Sequence, residues 1–345
     1  MLEVPSGQRG MGSEGDRMKR VGIIGTGSYV PEKVLANFDL EKFLDTSDEW
    51  IVTRTGIRER RVALENQAAS DLAKIACDRA LEAAGMEPEE IQLIVLGTIT
   101  PDTHCPAGAN WLEAKLGAVN AVSFDVTAAC SGFIFALAVA EQFIKTGTYQ
   151  NALVVGSEIM TRTVDWTDRE SCILWGDGAG AAVVTEVDSN SGILSTHIHT
   201  DGANGDTLLM PGGGSRTTPI SHESVDKKLH TLTMIQANQS FKVAVKRFAE
   251  ACEEALYYNN VSIDDIKVII PHQANLRILH GMAKRLNTDV SKVYVNIDRY
   301  GNISSATVPI ALDEAVRDKT IQEGDLVLLT AFGGGLTWAS ALIRW

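Results

Sequence analysis

Ala76-Cys77-Asp78-Arg79-Ala80-Leu81, running on to Glu89-Glu90-Ile91-Gln92-Leu93-Ile94-Val95, aligns without a gap on Ala251-Cys252-Glu253-Glu254-Ala255-Leu256, running on to Asp264-Asp265-Ile266-Lys267-Val268-Ile269-Ile270. The copies stand 175 residues apart in a chain of 345. Each reads as an amphipathic helix, a short acidic loop and a buried strand. In the first, Leu72, Ile75, Ala76, Ala80 and Ala83 recur at helical spacing behind a Ser70 cap, and Leu93 to Leu96 form a short apolar run. In the second, Phe241, Val245, Phe248, Cys252 and Leu256 share one helix face, and Val268-Ile269-Ile270 supply the strand. This predicts an α/β protein of two duplicated halves stacked about a pseudo-twofold axis.

Working outward, strands are expected at Val21 to Ile24, Ser123 to Val126, Ala152 to Val155, Ala181 to Val184 and Ile193 to Ile198. Leu326 to Phe332 and Leu336 to Ile343 form a closing pair around Gly333-Gly334-Gly335. The turn signal from Asp188 to Gly192 divides the chain into an N-terminal half, 18–190, and a C-terminal half, 191–345. Residues 1–17 are Gly-rich and aperiodic, without the apolar core of a signal peptide, and are expected to lie outside the fold as a leader.

Composition narrows the function. With 31 Lys plus Arg against 44 Asp plus Glu, the formal charge is −13, which disfavours non-specific binding to nucleic acid. The most apolar stretch, Phe133 to Ala140, is too short to span a membrane. Five widely spaced Cys with no C-x-x-C pair suit free thiols in a reducing compartment, hence the cytoplasm.

Three positions could carry chemistry. Cys130 lies where the apolar run Phe124 to Val126 turns directly into a helix ending near Gly147, so its thiol falls at a helix N-terminus, whose dipole favours the nucleophilic thiolate. A buried structural Cys is the other reading. His272, in Pro271-His272-Gln273-Ala274-Asn275, follows a strand at the end where α/β sheets collect ligands, although a hydrogen-bonded structural His would look the same. Asn302 sits in a loop before a helix, where Asn is ordinarily a turn or cap residue. The triple glycine after Phe332 lets backbone N–H groups approach a ligand, as an oxyanion hole needs, or simply makes a hairpin. Rival signatures fail: Val30 replaces the third glycine of a dinucleotide fingerprint, no phosphate-binding loop or nucleophile elbow occurs, and His197-x-His199 has no third metal ligand nearby in sequence.

These residues and their surroundings resemble the β-ketoacyl-acyl-carrier-protein synthase III family of condensing enzymes. The matching segments are Gly22 to Pro31, Asp45 to Arg58, the Cys130 stretch, Gly176 to Ala181, Pro271 to Asn275, Gly301-Asn302 and Gly333 to Gly335. The resemblance implies a thiolase-like five-layer αβαβα sandwich, a homodimer, and a decarboxylative Claisen condensation of an acyl-coenzyme A primer with malonyl-acyl carrier protein that starts fatty-acid synthesis. No cofactor or metal is implied, coenzyme A thioester being a substrate. It makes Cys130 the acyl-accepting nucleophile, with His272 and Asn302 promoting decarboxylation and the backbone of Cys130 and Gly334 forming the oxyanion hole. Trp50, Arg54 and Arg169 would hold the nucleotide end of coenzyme A, and Asn238 and Asn275 would lie near its pantetheine arm. Cys105 and Phe241 would shape the acyl pocket, Cys105 from across the dimer, and Arg277, Lys284, Arg285 and Lys242 would dock the acidic carrier. Cys105 stands where the family often has a bulky Phe, and the stretch Met234 to Phe241 departs from the family pattern. A longer or branched primer, or a relative working in secondary metabolism, is the alternative expectation.

Overall fold

The computed structural model describes residues 20–188, 190–215, 220–234 and 237–345, the side chains of 237–240 excepted. The expected leader, 1–17, and the side chain of Asn238 therefore lie outside the described residues.

Two mixed sheets form. The first contains β1 (Val21–Tyr29), β2 (Leu93–Gly97), β3 (Val122–Val126), β4 (Asn151–Ile159) and β5 (Asp177–Glu186), in the order β1-β5-β4-β2-β3. The second contains β6 (Gly192–Thr200), β7 (Val268–Pro271), β8 (Leu326–Gly333) and β9 (Thr337–Arg344), in the order β7-β8-β9-β6. The four strands of the second sheet repeat four of the first. β2 pairs parallel with β4 and also with β3, and β7 pairs parallel with β8, while the other two neighbouring pairs of each sheet are antiparallel. A parallel bridge between Ile269 and Val293 marks where the second half keeps only a trace of β3.

The 175-residue offset holds at three element starts: Leu93 and Val268, Asn151 and Leu326, and Gly132 and Thr307. The last pair opens the helices α3 (Gly132–Lys145) and α5 (Thr307–Arg317), following α1 (Asp48–Thr55) and α2 (Ala69–Ala84) in the first half and α4 (Ala237–Tyr258) in the second; the helix between the last two, Leu276–Arg285, is named by its range. Helices α3 and α5 lie between the sheets, where Phe133, Ile134, Leu137, Val308 and Leu312 share one core with β2, β4, β8 and β9. Each such covered side chain contributes roughly 1.5–3 kcal/mol. The outer face of the first sheet is covered by α2 through Leu72, Ala76 and Ala80, and that of the second by α4 through Phe248, Cys252 and Ala255. These five layers are those of the thiolase fold, and they explain why central strands read as unbroken apolar runs: both faces are covered.

One local expectation is corrected. Ser70 does not cap α2; Ala68 occupies that position, and Asp71 reaches back to the Ala68 N–H at 2.7 Å. The Ser70 hydroxyl donates instead to Asp102 at 2.5 Å, because the helix starts a turn earlier than its apolar stripe.

Candidate active site

The two central helices begin at the pseudo-twofold axis, and each is preceded by a single tight turn, Ala129–Ser131 on one side and Ser304–Ala306 on the other. Residues 175 apart again match: Ala129 and Ser304 both carry positive φ, 47° and 46°. Such backbone is costly for non-glycine residues and collects where function fixes geometry. Cys130 sits on the first turn. Asn302 precedes the second, in a stretch reached through Gly301 at φ 67°, a left-handed conformation in which a side chain would also meet the Leu174 carbonyl at 2.7 Å. His272 follows β7, its N–H donating to the Thr330 carbonyl of β8 at 2.8 Å.

Cys130, His272 and Asn302, together with Gly333 and Gly334, line one cavity of ≈ 530 Å³. It runs outward past Phe241, Asn275 and Arg277 to Trp50, Arg54 and Arg169. Residues drawn from both halves of the sequence thus converge on one cleft. Cys105 is exposed and does not line the cavity of its own chain.

The hydrogen bonds fix what each group offers. Asn302 Oδ1 accepts the Ser304 N–H at 2.8 Å, which orients the amide and leaves Nδ2 as a donor. His272 is buried, with Nδ1 2.6 Å from the Thr307 hydroxyl. Burial pushes its pKa down to about 3, a Ser304 backbone hydrogen bond acting the other way, so the imidazole is neutral at pH 7. Burial also pushes the Cys130 thiol up to about 12, the Ser304 hydroxyl lowering it and the buried Glu158 raising it. Burial thus opposes the preference for thiolate that the helix terminus gives Cys130. Glu158 itself is fully buried, accepts the Ile99 and Thr100 N–H groups and the Thr98, Thr100 and Ser305 hydroxyls, and is raised by burial.

Gly333 makes the site possible sterically. A Cβ there would stand 2.7 Å from the Cys130 backbone nitrogen, so β8 and the nucleophile turn approach only through a missing side chain. Gly333→Ala is expected to push these two backbones apart, lowering Tm and slowing thiol acylation at least about tenfold; thermal melting and stopped-flow acylation measure both.

At the mouth, the Arg54 and Arg169 guanidinium carbons lie 4.2 and 5.2 Å from the Trp50 ring centre. Asn275 is more committed than its sequence position suggests: Oδ1 caps the helix Leu276–Arg285 at the Arg277 N–H, and Nδ2 donates to the Arg54 carbonyl. Arg277 stacks over Phe241 at 5.5 Å. Beside it, Lys246, Arg247 and Arg285 converge on Glu250 at 3.6, 2.9 and 3.9 Å, and Lys242 is exposed. On another face, His197 and His199 both meet Glu254, a partner that sequence spacing hid; among the described residues no group of three His, Cys, Asp or Glu is placed to hold a metal. Nor is any described helix long and apolar enough to cross a membrane.

Sequence reading missed Thr307, Ser304 and Glu158. The repeat carried a usable signal for the first two. Shifted by 175, Ser304 falls on Ala129, inside the nucleophile turn, and Thr307 on Gly132, the first residue of α3.

A buried cysteine that shares one cleft between stacked α/β halves with a buried histidine and an asparagine amide fits a thiolase-like condensing enzyme. Residues 124–202 match the family described as 3-oxoacyl-[acyl-carrier-protein] synthase III, and residues 256–345 match its C-terminal part. The chain is 53% identical to the beta-ketoacyl-[acyl-carrier-protein] synthase III of Caldanaerobacter subterraneus, covering 94% of this chain and 97% of that one. It is 50% identical to the Clostridioides difficile enzyme, with 94% and 98% covered. The crystal structure of 3-oxoacyl-[acyl-carrier-protein] synthase III from Aquifex aeolicus superposes with a TM-score of 0.86 at 45% identity, covering 94% of this chain and all of that one. The chain belongs to the beta-ketoacyl-[acyl-carrier-protein] synthase III family.

Proposed function

We propose that this acyltransferase condenses an acyl-coenzyme A primer with malonyl-acyl carrier protein, through an acyl-Cys130 intermediate, to start fatty-acid synthesis. The observation that carries the reading is the convergence of Cys130, His272 and Asn302 in one cavity. In the first half-reaction Cys130 sulfur attacks the primer's thioester carbonyl. The Cys130 proton leaves with the departing coenzyme A thiol, and the N–H groups of Cys130 and Gly334 hold the oxyanion. In the second, His272 Nε2–H and Asn302 Nδ2–H donate to the malonyl thioester oxygen. Carbon dioxide departs, the enolate forms between these donors, and its carbon attacks the acyl-Cys130 carbonyl, expelling the Cys130 thiolate, which takes up a proton from water as 3-oxoacyl carrier is released. Neutrality of His272 suits this role, since a neutral N–H donor steadies the enolate without protonating it.

Trp50, Arg54 and Arg169 form the nucleotide end of the coenzyme A path, an aromatic face and two cations suiting a phosphorylated purine. Asn275 and Asn238 belong to its pantetheine stretch, while Phe241 and the partner subunit's Cys105 bound the acyl pocket. The division into halves 18–190 and 191–345 and a cytoplasmic, cofactor-free enzyme belong to the same reading. Dimerisation is supported by β3, which among the described residues is an edge strand paired only with β2, and by the exposed Val122, Val119 and Trp111 of this region.

The acidic carrier meets Lys242, Arg277, Lys284 and Arg285. Arg277→Glu with Lys284→Glu is expected to raise KM for malonyl carrier about tenfold and to spare the coenzyme A thioester; equal effects on both substrates would reject the dock. The function itself is tested by incubating the enzyme with malonyl carrier and acetyl-, isobutyryl-, octanoyl- or lauroyl-coenzyme A. Mass spectrometry of the carrier should show a 3-oxoacyl product with at least one primer, and no product with any would overturn the reading.

A further inference from the structure

We infer that Thr307 is a positioning residue that selects the tautomer of His272, and with it the donor needed for decarboxylation. The inference deepens the reading above and rests on it.

A neutral imidazole carries one N–H, so His272 can present a donor to the cleft through Nε2 only if Nδ1 is an acceptor. Nδ1 lies 2.6 Å from Thr307 Oγ1, and both residues are buried, so no water competes for either. The Thr307 hydroxyl has a single proton and two acceptors in reach, Nδ1 at 2.6 Å and the Ser304 carbonyl at 3.1 Å. Donation to Nδ1 places the ring proton on Nε2, facing the cavity. Donation to Ser304 makes the hydroxyl oxygen an acceptor, moves the ring proton to Nδ1, and leaves a bare Nε2 lone pair where an enolate oxygen must be stabilised. Both distances fit either arrangement, and the first is the one that leaves on Nε2 the proton that the proposed enolate stabilisation requires.

Thr307 opens helix α5, whose backbone is built into the central layer, so the hydroxyl cannot drift from the ring. The residue 175 positions earlier, Gly132, has no side chain, and the thiol side of the pseudo-twofold carries no such switch. In Thr307→Val a buried Nδ1 lone pair would be left unmatched, which penalises the productive tautomer and favours the other. Acylation of Cys130 does not use His272 as a donor and is unaffected.

The test separates the half-reactions in the full-length enzyme. Carbon dioxide release from malonyl-acyl carrier protein should fall roughly 10- to 100-fold in Thr307→Val. Cys130 acylation by acetyl-coenzyme A, read by intact mass, should keep its wild-type rate, and Thr307→Ser, which restores the hydroxyl, should recover decarboxylation. In 15N-histidine-labelled protein, the His272 resonances, assigned by their loss in His272→Ala, should show the proton on Nε2 in the wild type and on Nδ1 in Thr307→Val. Unchanged decarboxylation in Thr307→Val, or an Nδ1–H tautomer in the wild type, overturns the inference. If His272→Ala also decarboxylates at the wild-type rate, it is the underlying reading that falls.

Discussion

Cys130→Ala is expected to abolish condensation, by at least about 10⁴-fold, while leaving decarboxylation of malonyl carrier in place. The split follows from geometry. The thiol stands on the turn Ala129–Ser131, whereas the two donors belong to other elements: Asn302 is held by the Ser304 N–H and His272 by the backbone of β8 and the Thr307 hydroxyl. Removing one sulfur does not move them. The small Ala leaves the cleft open to the malonyl group, so carbon dioxide release without 3-oxoacyl product is the signature, read by carbon dioxide capture alongside carrier mass. Loss of both activities together would mean that the thiol turn and the donor turn form a single catalytic unit.

The complementary result comes from the donors. His272→Ala and Asn302→Ala are each expected to lower condensation roughly 10²- to 10³-fold, because each removes one of two hydrogen bonds to an oxygen that gains negative charge in a buried site. The double variant should fall short of the product of the two, since both act on the same oxygen. Acyl-Cys130 should accumulate in both single variants, as the first half-reaction uses neither donor. Asn302→Ala also frees the Ser304 N–H, so its Tm should drop by a few degrees, which thermal melting separates from the catalytic effect.

Legibility in the sequence tracked burial. Strands covered on both faces appear as apolar runs, which is why β2, β4, β7 and β8 start within one residue of expectation, and why the repeat alone points to the topology. Cys130, His272 and Asn302 could be picked out as elements ending in loops, yet their meeting could not: it depends on two turns facing each other across an axis, and sequence separation hides that. The burial of Cys130 is hidden for the same reason. A helix terminus is visible in a sequence, whereas the complete burial that raises Cys130 to about 12 is a property of the packed cleft. Asn275 looked like a ligand contact, but capping leaves its side chain already bonded at both ends. Thr307 was invisible because a Thr opening an apolar helix signals nothing until its hydroxyl is seen against the imidazole.

The central claim is that one thiol carries the acyl group between two half-reactions. Its most direct measurement is the intact mass of the wild-type enzyme after brief exposure to the acyl-coenzyme A series, followed by peptide mapping and addition of malonyl carrier. The claim predicts a single acyl adduct on the Cys130 peptide, absent in Cys130→Ala, that disappears on addition of malonyl carrier as 3-oxoacyl carrier forms in equal amount. An adduct on Cys77, Cys105, Cys172 or Cys252, or an adduct on Cys130 that malonyl carrier does not discharge, would contradict it.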